Sequence, residues 1–460
     1  MKLFAHKKFC KEFCKLKKIR TRFAPSPTGY MHIGNLRTAL YAYLFAKSQG
    51  GDFILRIEDT DRERYVADAV EFIEKTLEAA KIIPDEGPHQ GGNFAPYVQS
   101  ERMEIYKKYA EKLVESGHAY YEETEKGVAI RQKMPTSGET TFFDVLHGNI
   151  TIANSELEDQ ILLKSDGLPT YNFANVIDDH LMEISHIIRG TEFITSTPKH
   201  VLLYQNFGWE IPQFIHLAPV MGKADDGTVS KLSKRHGATS FNDLIELGYL
   251  PEAITNYVAL LGWNPKSNQE IFSMQELIEK FSLEGLSKSP AVFDYDKLDW
   301  MSSEYFKNMS DENFAEVADK YFSDIPSDKK IYLSSLIKTR VKKLSEIPDM
   351  IKFLKIFPDF DIELFTNKRN KITPEKSKEI ISPAIEMLEK ISDWTFENLD
   401  KNISDFIEKS GQKTGTIMWP LRIALAMQKV TPGGVTEILY LLGKEKSLER
   451  LKFVLEKLNF

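Results

Sequence analysis

Residues 22–35 read RFAPSPTGYMHIGN, and an apolar run with helical spacing, LRTALYAYLFAKSQG, follows directly. A strand that ends near Ala24 would bring the chain to the carboxyl edge of a parallel sheet, where open α/β sheets bind their ligands. Two prolines fix the turn at that edge, and two glycines let a flat or phosphorylated ligand approach the backbone. At the start of the helix, free N–H groups, the helix dipole and His32 favour an anion. The stretch therefore predicts a nucleotide site.

Each part of this motif also has an ordinary structural explanation. Pro-x-Pro is common in rigid turns, and a single histidine near a helix start is more often a cap than a catalyst. The prediction therefore depends on the combination of these parts in one stretch.

Short β-rich segments alternate with helical patterns from Ile19 to about Val220, which predicts a parallel sheet with crossover helices. Helices are expected near residues 34–49 and 67–80, and Ser196-Thr197-Pro198 is a further helix start. The predicted strands lie in KIRTRFA, DFILRIED, ILLKSD, ISHIIRG and QFIHLAPV.

From about Ser240 the alternation stops and amphipathic segments of helical length take over, such as EAITNYVALLG and SLERLKFVLEKL. The C-terminal third is therefore expected to be all-helical. One segment, FPDFDIELFTNKRNKITPEKSK, breaks the pattern and is predicted to be a loop between two helical parts.

The composition is that of an ordinary globular chain: 460 residues, of which 42% are hydrophobic and 28% charged. No apolar run reaches the roughly 18 residues of a membrane span, and the N-terminus lacks the apolar stretch of a signal peptide. We therefore expect a cytoplasmic protein with no membrane partner. Because the net charge is −7, a nucleic acid would have to bind a local basic surface.

Cys10 and Cys14 are the only cysteines of the chain, so a disulfide framework is excluded. Together with His6 they fall at helical spacing and could place three metal ligands on one helix face. No zinc is expected, because a structural zinc site needs four ligands. A basic, poorly ordered extension over residues 1–18 is the favoured interpretation.

A second candidate for phosphate binding is GKADDGTVSKLSKRHG, residues 222–237. Lys231, Lys234 and Arg235 lie close together between glycines, which is typical of a mobile loop that carries positive charge. Such a loop can neutralise charge on a leaving pyrophosphate. A solvated basic loop is the structural alternative.

Together the two segments resemble the two signature sequences of class I aminoacyl-tRNA synthetases. They stand here as His32-Ile33-Gly34-Asn35 and Lys231-Leu232-Ser233-Lys234-Arg235. The stretches RFAPSPTGYMHIG, GGDFILRIEDTDRERY, SDGLPTYNFANVIDDHL and KLSKRHGA resemble bacterial-type glutamyl-tRNA synthetases in particular. The likeness runs from about Arg20 to the C-terminus.

The resemblance implies a glutamate site built from two arginines and one acid. Arg22 would bind the side-chain carboxylate and Arg189 the α-carboxylate, since the planar guanidinium suits two oxygens. Glu58 would receive the ammonium group, with help from Ser26. The pocket would be completed by Tyr171 and Asn175, which are four residues apart and so on one helix face.

The resemblance also implies ATP contacts and catalytic residues. The ATP contacts would be Ala24, His32, Gly34, Glu192, Phe193 and Lys234, and the catalytic residues would be His32, Lys231 and Lys234. Magnesium is expected to arrive with ATP, held mainly by its phosphates, with no metal site on the protein. Structural alternatives remain open, namely an internal salt bridge between Arg189 and Glu58 and a core position for Tyr171.

A two-part fold is implied: a Rossmann-like α/β catalytic domain of parallel-sheet type with an inserted acceptor-binding module, followed by an all-helical anticodon-binding region. The expected boundaries are 19–239 for the catalytic domain, about 88–183 for the insertion, 240–310 for a stem-contact helical domain and 311–460 for the anticodon-binding domain.

The implied reaction joins L-glutamate to the 3′ end of tRNA(Glu) through glutamyl-adenylate, with ATP as co-substrate. We expect a monomer that needs bound tRNA before it activates glutamate. Asn35 replaces the second histidine of the signature, and the insertion is shorter than in many relatives. An enzyme that loads glutamate on tRNA(Gln) for amidation therefore stays open as the alternative.

Overall fold

The computed structural model describes residues 18–61, 66, 68–224, 226–323 and 325–459. For Lys234 it describes the backbone alone. The segment with His6, Cys10 and Cys14 lies outside the described residues. The chain divides after Met301 into two compact units. Among the described residues, none of the helices combines the length and the apolar character that crossing a bilayer requires.

The first unit alternates strands and helices as predicted, except that residues 119–163 form five successive strands and the strand predicted in ILLKSD pairs antiparallel outside the central sheet. Its described strands are β1 (Arg20–Phe23), β2 (Asp52–Leu55), β3 (Ala119–Thr124), β4 (Gly127–Gln132), β5 (Glu139–Asp144), β6 (Gly148–Ala153), β7 (Gln160–Leu163), β8 (His186–Gly190), β9 (Gln213–Leu217), β10 (Val220–Lys223), β11 (Val229–Lys231) and β12 (Ala291–Val292).

Nine described helices begin in this unit, and the last of them crosses its boundary. They are α1 (Ile33–Ser48), α2 (Ala69–Ala79), α3 (Met103–Glu115), α4 (Tyr171–Leu181), α5 (Thr197–Phe207), α6 (Phe241–Glu246), α7 (Pro251–Leu260), α8 (Met274–Lys280) and α9 (Tyr295–Asn308).

Parallel pairing dominates the central sheet. β1 pairs with β2 with Arg22 opposite Ile54, and β8 pairs with β9 with Arg189 opposite His216. The two pairs meet where the N–H of Ser185 donates to the carbonyl of Arg20 at 2.9 Å. Strand order therefore reverses between β1 and β8, which is the switch point where doubly wound sheets bind ligands.

Helix α1 fills the centre of the core. Leu36, Leu40 and Leu44 are fully buried, as are the alanines between them. The helix is apolar around most of its circumference because it packs on β1 and β2 and also on α7 and α8. Each such leucine contributes about 1.5–3 kcal/mol of hydrophobic stabilisation. This packing fixes the N-terminus of α1 beside the end of β1.

The segment between the sheet halves forms its own antiparallel layers. β3 and β7 flank β4 in one small sheet. β5 and β6 form a hairpin that joins the central sheet through a parallel bridge from Asp144 of β5 to Phe214 of β9. The last strands form a third sheet, in which β10 pairs with β11 and β12. This sheet carries the lysine-rich loop, residues 222–237.

The second unit is all-helical in its described residues. Its helices, besides the end of α9, are α10 (Asp311–Val317), α11 (Ser327–Ile337), α12 (Ile347–Lys355), α13 (Pro374–Glu389), α14 (Phe396–Ser410), α15 (Thr414–Ala426), α16 (Val435–Leu442) and α17 (Lys444–Lys457).

The predicted loop FPDFDIELFTNKRNKITPEKSK is wrong at its C-terminal end. A 3₁₀ turn occupies Ile362–Phe365, and α13 begins inside the segment at Pro374. Thr373 caps this helix by accepting a hydrogen bond from the N–H of Lys376. Proline is favoured at the first helical position after such a cap, so a local start signal ends the loop early.

Candidate active site

A cavity of about 310 Å³ opens at the carboxyl ends of β1 and β8. All but two of the predicted site residues line it. They are Arg22, Ala24, Ser26, His32, Gly34, Glu58, Tyr171, Arg189, Glu192, Phe193 and Lys231. Of the other two, Asn175 hydrogen-bonds to Glu58, and the side chain of Lys234 is outside the described part of the chain. The two arginines thus lie on adjacent strands at one cavity.

Arg22 is held by a buried carboxylate. Its Nε donates to Oδ1 of Asp179 at 3.0 Å, and the same oxygen accepts from Nη1 of Arg56 at 2.7 Å. Burial alone would raise the pKa of Asp179, but the two guanidiniums outweigh it and lower the pKa. Asp179 is therefore an ionised bridge between two arginines.

Glu58 has one satisfied and one unsatisfied oxygen. Oε1 accepts from Nη2 of Arg56 at 2.9 Å and from Nδ2 of Asn175 at 3.1 Å. Oε2 of Glu58 and Oδ1 of Asn175 are buried with no hydrogen-bond partner among the described residues. Burial raises the pKa of Glu58, and Arg56 opposes that shift. The free Oε2 of Glu58, a residue that lines the cavity, suits an ammonium donor.

The alternative of a salt bridge between Glu58 and Arg189 is wrong. Glu58 pairs with Arg56 instead. Arg189 donates to three uncharged acceptors: Nε2 of His216 at 3.1 Å, Nδ1 of His200 at 3.2 Å and Oγ1 of Thr197 at 2.8 Å. Its guanidinium carbon lies 5.1 Å from the ring centroid of Phe193, and burial lowers the pKa of Arg189.

His32 is the cap of α1. Its Nδ1 accepts the N–H of Gly34 at 3.1 Å, so the proton of the neutral ring is on Nε2, which is buried with no hydrogen-bond partner within the described part of the chain. Burial lowers the pKa of His32 and Lys231 lowers it further, although a backbone contact with Leu232 opposes the shift. His32 is thus a neutral donor at the cavity.

The expectation of free N–H groups at the start of α1 is wrong. The N–H of Ile33 donates to the carbonyl of Thr239, and that of Asn35 to the carbonyl of His32, both at 2.9 Å. Because the Gly34 N–H is also engaged, the helix offers an anion its dipole and the His32 ring rather than open amides.

The lysine-rich loop is anchored by His236. Its Nδ1 lies 3.1 Å from the N–H of Ser233, and its ring lies against Gly222, where an added Cβ would be 2.5 Å from the imidazole Cγ. Tyr295 donates to the carbonyl of Ala238 at 2.7 Å. These contacts hold the loop that brings Lys231 to the cavity.

Sequence reasoning missed the buried polar residues behind the site. Arg56, Asp178 and Arg102 are all buried, and Asp178 accepts from Nε of Arg102 at 2.7 Å. Asp179 could have been found, because it follows Tyr171 and Asn175 at the same spacing of four. Other missed residues, with no comparable sequence signal, are Thr197, His200, His216 and Asp144.

The fold is that of a class I synthetase. The family model for the catalytic domain of tRNA synthetases class I (E and Q) matches residues 18–128 and 122–300. A model for an anticodon binding domain matches residues 298–455. The chain therefore belongs to the class I tRNA synthetases (E and Q), and the resemblance predicted from its motifs is confirmed.

The named relatives of the chain are glutamate–tRNA ligases. The chain is 48% identical to the glutamate–tRNA ligase of Clostridium acetobutylicum, with 96% of this chain and 99% of the relative aligned. It is 46% identical to that of Clostridium novyi over the same shares. A solved glutamate tRNA ligase from Elizabethkingia meningosepticum, in complex with its amino acid, has a TM-score of 0.87 at 34% identity and covers 96% of this chain and 100% of its own.

Proposed function

We propose that this protein is a glutamate–tRNA ligase, which activates L-glutamate with ATP and transfers the glutamyl group to the 3′ end of tRNA(Glu). One observation about the site supports the proposal most strongly. Arg22, Arg189 and the half-satisfied Glu58 line a single cavity at the switch point of the sheet. The named relatives and the family of the chain point to the same activity.

The charges of the cavity match those of glutamate. Free glutamate has two carboxylates and one ammonium, and each needs a partner when it leaves water. Arg22 binds the side-chain carboxylate and Arg189 the α-carboxylate, each through a planar guanidinium. Glu58 accepts the ammonium on its free Oε2, and Ser26, Tyr171 and Asn175 complete the pocket.

ATP lies on the side of the cavity that contains His32 and the lysine-rich loop. Neutral His32 donates from Nε2 to a phosphate oxygen, and Ala24, Gly34, Glu192 and Phe193 contact the nucleotide. Among the described residues, no group of three or more His, Cys, Asp or Glu side chains is arranged to hold a metal. Magnesium comes with ATP, bound by its phosphates and by water.

Activation requires positioning and charge neutralisation. An oxygen of the glutamate α-carboxylate attacks the α-phosphorus of ATP, and the bond to the departing pyrophosphate breaks. Lys231 and Lys234 neutralise the charge that develops on pyrophosphate, so no covalent intermediate on the protein is required. A ribose hydroxyl at the tRNA 3′ end then attacks the carbonyl of the adenylate, and AMP leaves.

The remaining parts of the chain bind the tRNA. Residues about 88–183 take the acceptor end, residues 240–310 contact the stem and residues 311–460 read the anticodon. Exposed Arg369 is a candidate phosphate contact. Lys338 is a weaker candidate because its Nζ pairs with Asp311 at 2.8 Å. We expect the enzyme to act as a monomer.

The proposal is tested by ATP–pyrophosphate exchange with L-glutamate, run with and without tRNA(Glu). Exchange that requires both glutamate and the tRNA is the expected result. Charging of purified tRNA(Glu) and tRNA(Gln) is then compared side by side, with tRNA(Glu) as the expected substrate. Absence of exchange with all substrates present would overturn the proposal, and charging of tRNA(Gln) alone would overturn its tRNA assignment.

A further inference from the structure

Arg189 and Arg22 line the same cavity but differ in how their charge is balanced. Arg22 donates to an ionised carboxylate, Asp179. Arg189 is 4% exposed and forms no ion pair within the described residues, because its hydrogen bonds go to two imidazoles and one hydroxyl. Burial lowers the pKa of Arg189, and the Tyr171 side chain and the Asp179 carboxylate raise it but only partly offset that effect. A buried guanidinium without a carboxylate partner is unusual, since an unpaired buried charge is costly.

The two imidazoles are fixed as acceptors by groups on their far sides. Nδ1 of His216 lies 2.7 Å from Oδ2 of Asp144, so the ring donates there and presents a bare Nε2 to Arg189. Nε2 of His200 lies 2.9 Å from Oδ1 of Asn172, so this ring presents a bare Nδ1. The Asn172 amide is itself oriented, because its Nδ2 donates to Gln160 at 3.1 Å.

Both rings are neutral. Burial lowers the pKa of His200 well below its usual range, and Arg189 lowers it further. Burial also lowers the pKa of His216, although Asp144 opposes that shift. A protonated ring would direct an N–H at the N–H groups of Arg189, so the observed geometry itself requires the neutral forms.

We propose that His200 and His216 are positioning residues that orient Arg189 without neutralising it, so that the α-carboxylate of the substrate becomes its counterion. This inference rests on the proposed function and explains why Arg189 attracts the α-carboxylate of glutamate. A carboxylate in place of either imidazole would hold the guanidinium equally well and would remove its net charge. The neutral acceptors therefore keep Arg189 both rigid and attractive to an anion.

Four variants of His200 and His216 test this inference. For each variant, the KM for glutamate and the KM for ATP are measured by ATP–pyrophosphate exchange in the presence of tRNA(Glu). His200→Ala removes an acceptor, and we expect the glutamate KM to rise about tenfold or more with little change for ATP. His200→Asn restores an oxygen at the position of Nδ1 and should recover most of the loss. His216→Gln restores an acceptor near Nε2 in the same way.

His200→Asp is the decisive variant because it gives Arg189 a carboxylate partner. We expect it to melt at a higher temperature than His200→Ala and yet to have the higher glutamate KM of the two. A merely structural role predicts that stability and affinity change in the same direction. Glutamate affinity in His200→Asp equal to that of His200→Asn would overturn the inference.

A control variant at Arg189 distinguishes a failure of the proposed glutamate site from a failure of the positioning role. If Arg189→Gln leaves the glutamate KM unchanged, the proposed glutamate site is wrong. If Arg189→Gln abolishes glutamate activation while the His200 variants behave like the wild type, the site stands and the positioning role is wrong.

Discussion

Replacing Asp179 with asparagine should weaken the ion pairs that hold the charged groups of the glutamate pocket, while the side chain keeps nearly the same shape. Asp179 is fully buried, and its Oδ1 accepts from Arg22 at 3.0 Å and from Arg56 at 2.7 Å. Arg56 in turn holds Glu58 at 2.9 Å. One carboxylate therefore supports two of the three charged groups that contact glutamate in our proposal.

The expected loss follows from the burial of this network. Removing one partner of a buried ion pair costs about 3–5 kcal/mol, because the remaining charge is left uncompensated. For a unit of this size, 1 kcal/mol corresponds to roughly 2 °C, so we expect the melting temperature to fall by about 6–10 °C. Arg22 also loses a charge-assisted hydrogen bond, which should raise the glutamate KM about tenfold or more.

Thermal melting followed by exchange kinetics measures both effects in the same protein. Glu115→Gln at the end of α3 is the matched control, because that carboxylate is exposed and should change stability by no more than about 0.5 kcal/mol. The ATP KM of Asp179→Asn should stay near that of the wild type. Unchanged melting, or an ATP KM that rises as far as the glutamate KM, would refute the reasoning.

Three further outcomes are expected. Gly222→Ala should slow adenylate formation by about a hundredfold, since its Cβ would meet His236 and displace the lysine-rich loop; an unchanged single-turnover rate would contradict this. Folding lowers the pKa of His200 and His216 from 6.5, so below that pH the unfolded chain binds more protons than the folded chain. The stability that these neutral rings contribute is therefore complete above pH 6.5 and is lost as the pH falls below it. The drop in melting temperature between pH 7.5 and 5.5 should be smaller in His200→Asn, and an identical drop would count against the neutral rings. Ser240→Ala removes the N-cap of α6 and should cost about 1 kcal/mol, or roughly 2 °C, whereas Ser240→Asn should melt like the wild type.

The fold was largely predictable because its signals are local. Strands and helices of the first unit differ in apolar periodicity, and glycine, proline and serine mark their ends. The motif around His32 lies at the end of β1, where a parallel sheet places its ligand. For the same reason, the predicted residues from distant segments line one cavity.

The pairing of buried charges was not predictable in this way. Arg56 lies only two residues from Glu58, but whether Arg189 of β8 reaches Glu58 instead depends on how β2 and β8 are placed in the folded sheet, which short-range spacing does not contain. The histidines that hold Arg189 come from α5 and β9, which also meet only in the folded chain.

One of the engaged amides at the start of α1 is explained by a tertiary contact, and the others are explained by local contacts to His32. Local reasoning leaves the first amides of a helix free. The carbonyl of Thr239, about two hundred residues further along the chain, accepts the N–H of Ile33, and the His32 ring accepts that of Gly34.

In our proposal, two arginines select a dicarboxylic amino acid. The most direct test compares how the purified wild-type protein charges tRNA(Glu) with glutamate and with glutamine. Glutamine has nearly the same shape but no second carboxylate for Arg22. We predict that kcat/KM for glutamate exceeds that for glutamine by at least roughly a hundredfold. Comparable charging with the two amino acids would contradict the account.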